Sequence, residues 1–446
     1  MAIQCPHPRQ RMGRFIGYHI PLSFVFFIAI VACGPTVAQD AVRKEAERWS
    51  PRLTLQDAID RALAASPGLQ AARAGIASAR GAERQAKLLP NPEFSLEVEN
   101  FKGSGPYRDL DSAELTYGVS QNIELGGKRS ARRQAATAER KAAEMASESA
   151  RLDLIRAVKV AYTQAAAAEH SLTLALELES IAKRVLYNVT ERVKAAREPE
   201  IQQSKAEVAY AASSAARQRA ANTCAAKRKA LSRFWREAAF PERLSVEYIF
   251  SFPEPEALEI YEARLARSPD IARFGRLTEA REAELKLARA GVVPDPKITV
   301  GVRQFRDTDE QALVAGVSIP FPVFNWNQGE IARSGAEIVR ADNEHRQAEI
   351  DQVGQLTDAW SQWQSAWVEA RNLKETILPQ AERAFRLTLE GYRAGRFSYL
   401  EVLDAQRTLF EARVEQVDAL IRLHLARADV ERLAAIATPE QKEVKP

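Results

Sequence analysis

The sequence predicts a mainly α-helical chain with a small β part: two long helical hairpins made by duplication, plus four short strands. Three observations predict it. Ala, Arg, Glu, Leu and Gln dominate while aromatics reach only 7%, the composition of long helices packed as coiled coils rather than of an aromatic-rich globule. From Lys128 to about Ala195 there is no proline or glycine, enough for a helix of about 100 Å at 1.5 Å per residue. The same order of motifs occurs twice, at offsets of about 198 to 204 residues, which is the mark of an internal repeat.

The chain opens on a targeting segment. Arg9, Arg11 and Arg14 precede an apolar run from Leu22 to Cys33 that is too short to cross a bilayer comfortably as a permanent helix. This is the layout of a secretory signal. Two ends are open to it. Thr36-Val37-Ala38 offers small residues for cleavage, giving a signal peptide of 1–38. Ile30-Val31-Ala32-Cys33 has the form of a lipobox, giving a signal of 1–32 and lipidation at Cys33. The three arginines also account for most of the formal charge of +4, leaving about +1. So balanced a body carries no footprint for nucleic acid.

The first repeat is expected over 52–236 and the second over 256–437, joined by a proline-rich linker at 237–255 and followed by a tail at 438–446. Each repeat begins with a Ser-Pro pair inside a helical pattern, Ser66-Pro67 and Ser268-Pro269. A Pro-x-Pro follows, Pro90-Asn91-Pro92 and Pro294-Asp295-Pro296. Then come two segments that alternate apolar and polar residues, predicting strands at about 94–101 and 113–121 and again at about 298–305 and 312–319. Such period-two segments suit strands with one apolar face, in a membrane barrel or a soluble sheet. Four strands cannot close a barrel of useful width alone, so a barrel would need several copies.

Long helices close both repeats. Leu174, Leu178, Ile181, Val185, Val189 and Val193 recur at helical spacing in the first. Val353, Leu356, Trp360, Trp363, Trp367, Ala370, Leu373 and Ile377 do so in the second, where Pro379 is the single proline between Gln328 and about Ala394. Both stripes are read as core seams between helices. Short breaks at 195–200 and 394–398 turn the chain into returning helices, roughly Ile201 to Arg236 and Tyr399 to Ile436.

No catalytic, cofactor or metal site is legible. His170, His345 and His424 are isolated and expected on helix surfaces, and no Cys-His ligand spacing accompanies them. Met145 is the single methionine beyond the targeting segment, so no thioether cluster exists. Gly126-Gly127-Lys128 lacks the first glycine of a phosphate loop, and Arg129 stands where its hydroxyl would be.

Together these segments resemble the TolC family of outer-membrane efflux proteins. The run Leu89 to Asn100 (LPNPEFSLEVEN), Gln121 to Arg129 (QNIELGGKR) and Val317 to Asn325 (VSIPFPVFN) with Asn327-Gln328-Gly329 look like its CzcC-like branch for cobalt, zinc, cadmium or nickel efflux. The resemblance implies a homotrimer in the outer membrane, in contact with its lipid. Each chain would give four strands to a twelve-stranded barrel, and the helices would form a tube through the periplasm. It implies a passive duct serving a periplasmic adaptor protein and an inner-membrane pump of the RND type. By the same resemblance, Gly395, Arg396, Phe397 and Ser398 would meet the adaptor. Glu401 and Asp404, three apart and so on one helical face, would form an acidic ring at the periplasmic entrance. The first tip departs from the pattern, with Ala196 where glycine is usual, then Arg197 and Glu198-Pro199-Glu200, so its share in docking is less defined. Organic drugs or a secreted protein (type I secretion) are the alternative cargo. A periplasmic coiled-coil scaffold without a pore is the alternative of another class.

Overall fold

A computed structural model describes residues 52–240 and 242–436. The expected signal segment, Cys33 and the tail lie outside the described residues. Thr54 opens α1 (Leu55–Ala65) with a capping box: its hydroxyl accepts the Asp57 N–H, and the Asp57 carboxylate accepts the Thr54 N–H. The two Ser-Pro pairs do not sit inside helices, as their sequence setting suggests. Each begins one, because serine caps and proline at N1 needs no hydrogen-bond acceptor. Ser66 caps α2 (Pro67–Ala86) by accepting the Leu69 N–H at 3.3 Å.

Strands β1 (Glu93–Glu99) and β2 (Glu114–Asn122) follow, and then a hairpin of α3 (Lys128–Lys194) and α4 (Glu200–Ser232). After short helices α5 (Glu247–Phe250) and α6 (Leu258–Leu265) the pattern returns. Ser268 caps α7 (Pro269–Ala290) by accepting the Ile271 N–H at 3.4 Å. Then come β3 (Lys297–Phe305), β4 (Glu310–Ser318) and α8 (Gln328–Asn372). A wide π-helical turn at Leu373–Ile377 leads into α9 (Leu378–Arg393), and α10 (Tyr399–Leu433) returns. The π turn has a local cause. Pro379 has no N–H to donate, and its ring needs room beside the carbonyl of Glu375.

The strands form one antiparallel meander, β1-β2-β3-β4. The helices that feed them pack in the same sequence, α2 on α3, α3 on α7, α7 on α8. All four therefore leave one end of the sheet, and the β1–β2 and β3–β4 loops occupy the other. Farther down, α4, α3, α10 and α9 lie side by side.

The main core sits at the waist between these levels. Leu356, Trp363, Ala370 and Leu373 of the tryptophan stripe are buried there, and the indole N–H of Trp360 donates to the Glu256 carbonyl at 2.9 Å. The ends of that stripe, Val353 and Ile377, are exposed. The joining segment is no loose tether. Phe240, Leu244 and Ile249 are buried in the core, and the Tyr162 hydroxyl oxygen lies 2.8 Å from the Leu53 carbonyl and 3.0 Å from that of Ser245, its one proton shared between them. His424 is also buried, contrary to its expected surface position. Its Nε2 lies 2.9 Å from the Ile249 carbonyl, and burial pushes its pKa down to about 4.

Candidate functional site

The β-sheet has two unlike faces, fixed by register. Phe94, Leu96 and Val98 pair across with Val119, Tyr117 and Leu115; Tyr117 and Val119 pair with Val302 and Val300; Val302 and Ile298 pair with Leu313 and Val317. Directly opposed residues share a face, so these side chains form one continuous apolar surface. It is open to solvent: Phe94 is 72% exposed and Leu313 85%. The opposite face carries Glu97, Glu99, Glu114, Thr116, Ser120, Arg303 and Glu310, and Thr116 and Ser120 on it are buried. The outer strands β1 and β4 each keep one unpaired edge.

Arg303 is the centre of the polar face. Its guanidinium donates to Glu114 at 2.9 Å and lies 2.8 Å from Glu99, and its Nε donates to the Thr116 hydroxyl at 2.9 Å. Three strands are joined by one side chain. Sequence reading missed this group, since it needs β1, β2 and β3 in register. The signal available was parity, which sets Arg303 in phase with Thr299 and opposite the apolar Val302.

The sheet-to-helix junctions explain the glycine-lysine motif. Lys128 pairs with Asp295 of the Pro-Asp-Pro turn at 2.8 Å, and the other Asp295 oxygen accepts the Leu125 N–H. Lys128 is therefore occupied in tying the first repeat to the second.

At the far end are the two hairpin tips. In the second, the N–H of Arg396 donates to the Gly391 carbonyl and that of Gly395 to the Tyr392 carbonyl, closing the helix with Gly395 at φ +73°. The bare Gly391 leaves room for the Phe397 ring, which a Cβ there would meet at 2.2 Å. Ser398 then starts α10 with a capping box, and the Glu401 carboxylate accepts the Ser398 N–H at 2.6 Å. Glu401 and Asp404 are both exposed, and with Phe397 they line a cleft of about 670 Å³. Ala196 and Arg197 are exposed at the first tip. About one turn inside the tips the hairpins meet: the Arg192 guanidinium stands 5.2 Å from the centre of the Tyr392 ring, and Val189, Ala206 and Tyr399 pack together. This contact was not legible in the sequence, because nothing local pairs α3 with α9.

Among the described residues no helix is long and apolar enough to cross a membrane, and no group of three or more His, Cys, Asp or Glu side chains is placed to hold a metal ion. The sequence profile of the outer membrane efflux protein family matches residues 58–235 and 260–435. The chain is 30% identical to the cobalt-zinc-cadmium resistance protein CzcC of Cupriavidus metallidurans, over 85% of this chain and 90% of that protein. It is 27% identical to the nickel and cobalt resistance protein CnrC of the same organism, over 66% and 68%. The crystal structure of the outer membrane protein VceC from Vibrio cholerae shares the fold, with a TM-score of 0.68 over 85% of this chain and 95% of that one at 21% identity. The resemblance to the TolC family and its CzcC-like branch therefore holds. This chain belongs to the outer membrane efflux protein family and resides in the outer membrane, extending into the periplasm.

Proposed function

We propose that the chain is the outer-membrane duct of a three-part exporter of divalent transition-metal cations. In this reading three copies pool their strands into a barrel. The observation that carries it is the four-stranded sheet, apolar on one face and polar on the other, with an unpaired edge on each side and all four adjoining helices at one end. An unpaired edge inside a bilayer is prohibitively costly, and pairing β4 of one copy with β1 of the next removes it. The apolar face then meets lipid and the polar face lines the passage. The duct is passive, so an inner-membrane RND pump supplies the energy and an adaptor meets the tips at Gly395 to Ser398, with Ala196 and Arg197 alongside. Glu401 and Asp404 would bring six carboxylates to the entrance in three copies, enough to concentrate cations there.

The names of the two relatives, both metal-resistance proteins, favour metal cargo over organic molecules. Deleting the gene and assaying growth on cobalt, zinc, cadmium and nickel separates these readings. Metal sensitivity in the deletion strain that the intact gene reverses supports metal export, and sensitivity to organic toxicants alone overturns it. The purified protein should be a detergent-dependent trimer. A folded, water-soluble monomer would instead favour a periplasmic scaffold.

A further inference from the structure

The polar face of the sheet is not uniformly charged along its length. At the helix end, Glu93 pairs with Lys297 of the next row on the same face at 2.6 Å, so the two rows together are neutral. Halfway along, Ser95, Gly118, Gly301 and Val314 stand in one row with no charge. At the loop end, Glu97, Glu99, Glu114 and Glu310 share the face with Arg303 alone, so four carboxylates face one guanidinium. The helices extend into the periplasm, so the loop end is the outer exit of the passage.

Resting on the duct reading, we propose that this exit sets the cation preference and that Arg303 is its specificity-determining residue. Two carboxylates and a hydroxyl converge on the guanidinium at 2.8 to 2.9 Å. That is a set of hard oxygen donors of the kind that holds a divalent metal. Arg303 fills their centre with a fixed positive charge. Arg303 contacts both Glu99 and Glu114 and cancels one of their two charges, while Glu97 and Glu310 still draw cations outward. A metal ion leaving the passage meets attraction without a seat to occupy. Without the guanidinium, Glu99, Glu114 and Thr116 would retain the ion at the wall, and the held cargo would repel the cations that follow it.

The test is single-channel recording of the purified trimer in planar bilayers under a KCl gradient, with ZnCl2 added as blocker. Arg303→Gln should move the reversal potential further toward potassium and lower the zinc concentration for half-block roughly tenfold, as expected for restoring an unpaired carboxylate pair. Adding Glu114→Gln to it should return both readings toward the parent. Glu97→Gln and Glu310→Gln, outside the triad, should move the reversal potential the other way. If Arg303→Gln conducts with the parent's reversal potential and zinc block, the proposal is overturned. Should that variant fail to assemble, an unshifted reversal potential in the Glu97→Gln, Glu310→Gln double variant overturns it equally. A parent protein that forms no conducting trimer would instead overturn the duct reading.

Discussion

At the tip of the first hairpin the left-handed residue is Ala196, at φ +52°; at the tip of the second it is Gly395, at φ +73°. The closing hydrogen bonds are the same. Arg197 donates to Arg192 and Ala196 to Val193, as Arg396 does to Gly391 and Gly395 to Tyr392. The flanking chemistry differs. Pro199 opens α4 without a side-chain cap, whereas Ser398 and Glu401 cap α10 reciprocally. The helices behind the tips differ too, since α3 runs unbroken for 67 residues and its counterpart is interrupted by the π turn. Duplication has kept the backbone plan, while the side chains have made the first hairpin a continuous strut and the second a capped, jointed one.

The comparison breaks first where the hairpins are locked together. Lys159 of α3 and Glu431 of α10 pair at 2.7 Å while almost fully buried, and Arg427 holds the other Glu431 oxygen. Burial raises the Glu431 pKa, but Lys159 and Arg427 outweigh it and the net shift is downward. Lys159→Met leaves the carboxylate with one partner and should cost about 3–5 kcal/mol, read as a lowered denaturation midpoint of the trimer. A loss under about 1 kcal/mol would mean the lock lies elsewhere, in the apolar core.

The next effect is a pH dependence at the same level. His424 is held neutral, with its folded pKa near 4 against an ordinary 6.5. Between those values the unfolded chain binds the extra proton, so stability falls as pH drops through that window. The loss approaches about 3 kcal/mol at its lower end. The Glu431 pair works in the same direction only below the ordinary 4.5, where the carboxyl protonates in the unfolded chain while the folded one stays ionised. His424→Gln should flatten the curve between pH 6.5 and 4. An unchanged slope there would assign the dependence to other groups.

A smaller effect separates the tips themselves. Alanine in the left-handed region carries about 1–2 kcal/mol of strain, part of which Ala196→Gly would trade for greater freedom in the unfolded chain. Gly395→Ala introduces the same strain. Amide hydrogen exchange at residues 190–202 and 390–402 should therefore slow in the first variant and quicken in the second. Equal rates in both would mean that neighbouring chains hold the tips.

Much of this was readable beforehand because it depends on local pattern. An unbroken run such as 128–194 can only be a long helix, and alternation such as Ile298-Thr299-Val300-Gly301-Val302 fixes which side chains share a face. What escaped depends on register or on distant contacts. Arg303 reads as an ordinary polar strand residue until β1 and β2 are laid beside it. Arg192 and Tyr392 stand in different repeats. The burial of His424 follows from the joining segment folding over it, which a proline-rich stretch does not announce. Glu401 also has a local role that its spacing shows: Ser398-x-x-Glu401 is the pattern of a capping box.

Those two roles of Glu401 can be separated, and the effect is the smallest considered. Ser398→Ala removes the hydroxyl that accepts the N–H of Glu401, at a cost of about 1 kcal/mol, or roughly fivefold faster exchange at the start of α10. It leaves both carboxylates in place, so cation preference should not move. Glu401→Gln with Asp404→Asn does the reverse. The glutamine amide oxygen can still accept the Ser398 N–H, so exchange should stay near the parent's. Six charges would vanish from the entrance, and cation preference should fall most at low salt, where screening is weakest. Opposite responses of the two variants would show that the second tip carries a structural device and an electrostatic one on adjacent atoms. If the double variant conducts as the parent does, Glu401 serves the cap alone, and the second tip differs from the first in its left-handed residue and in how firmly its helix begins, not in charge.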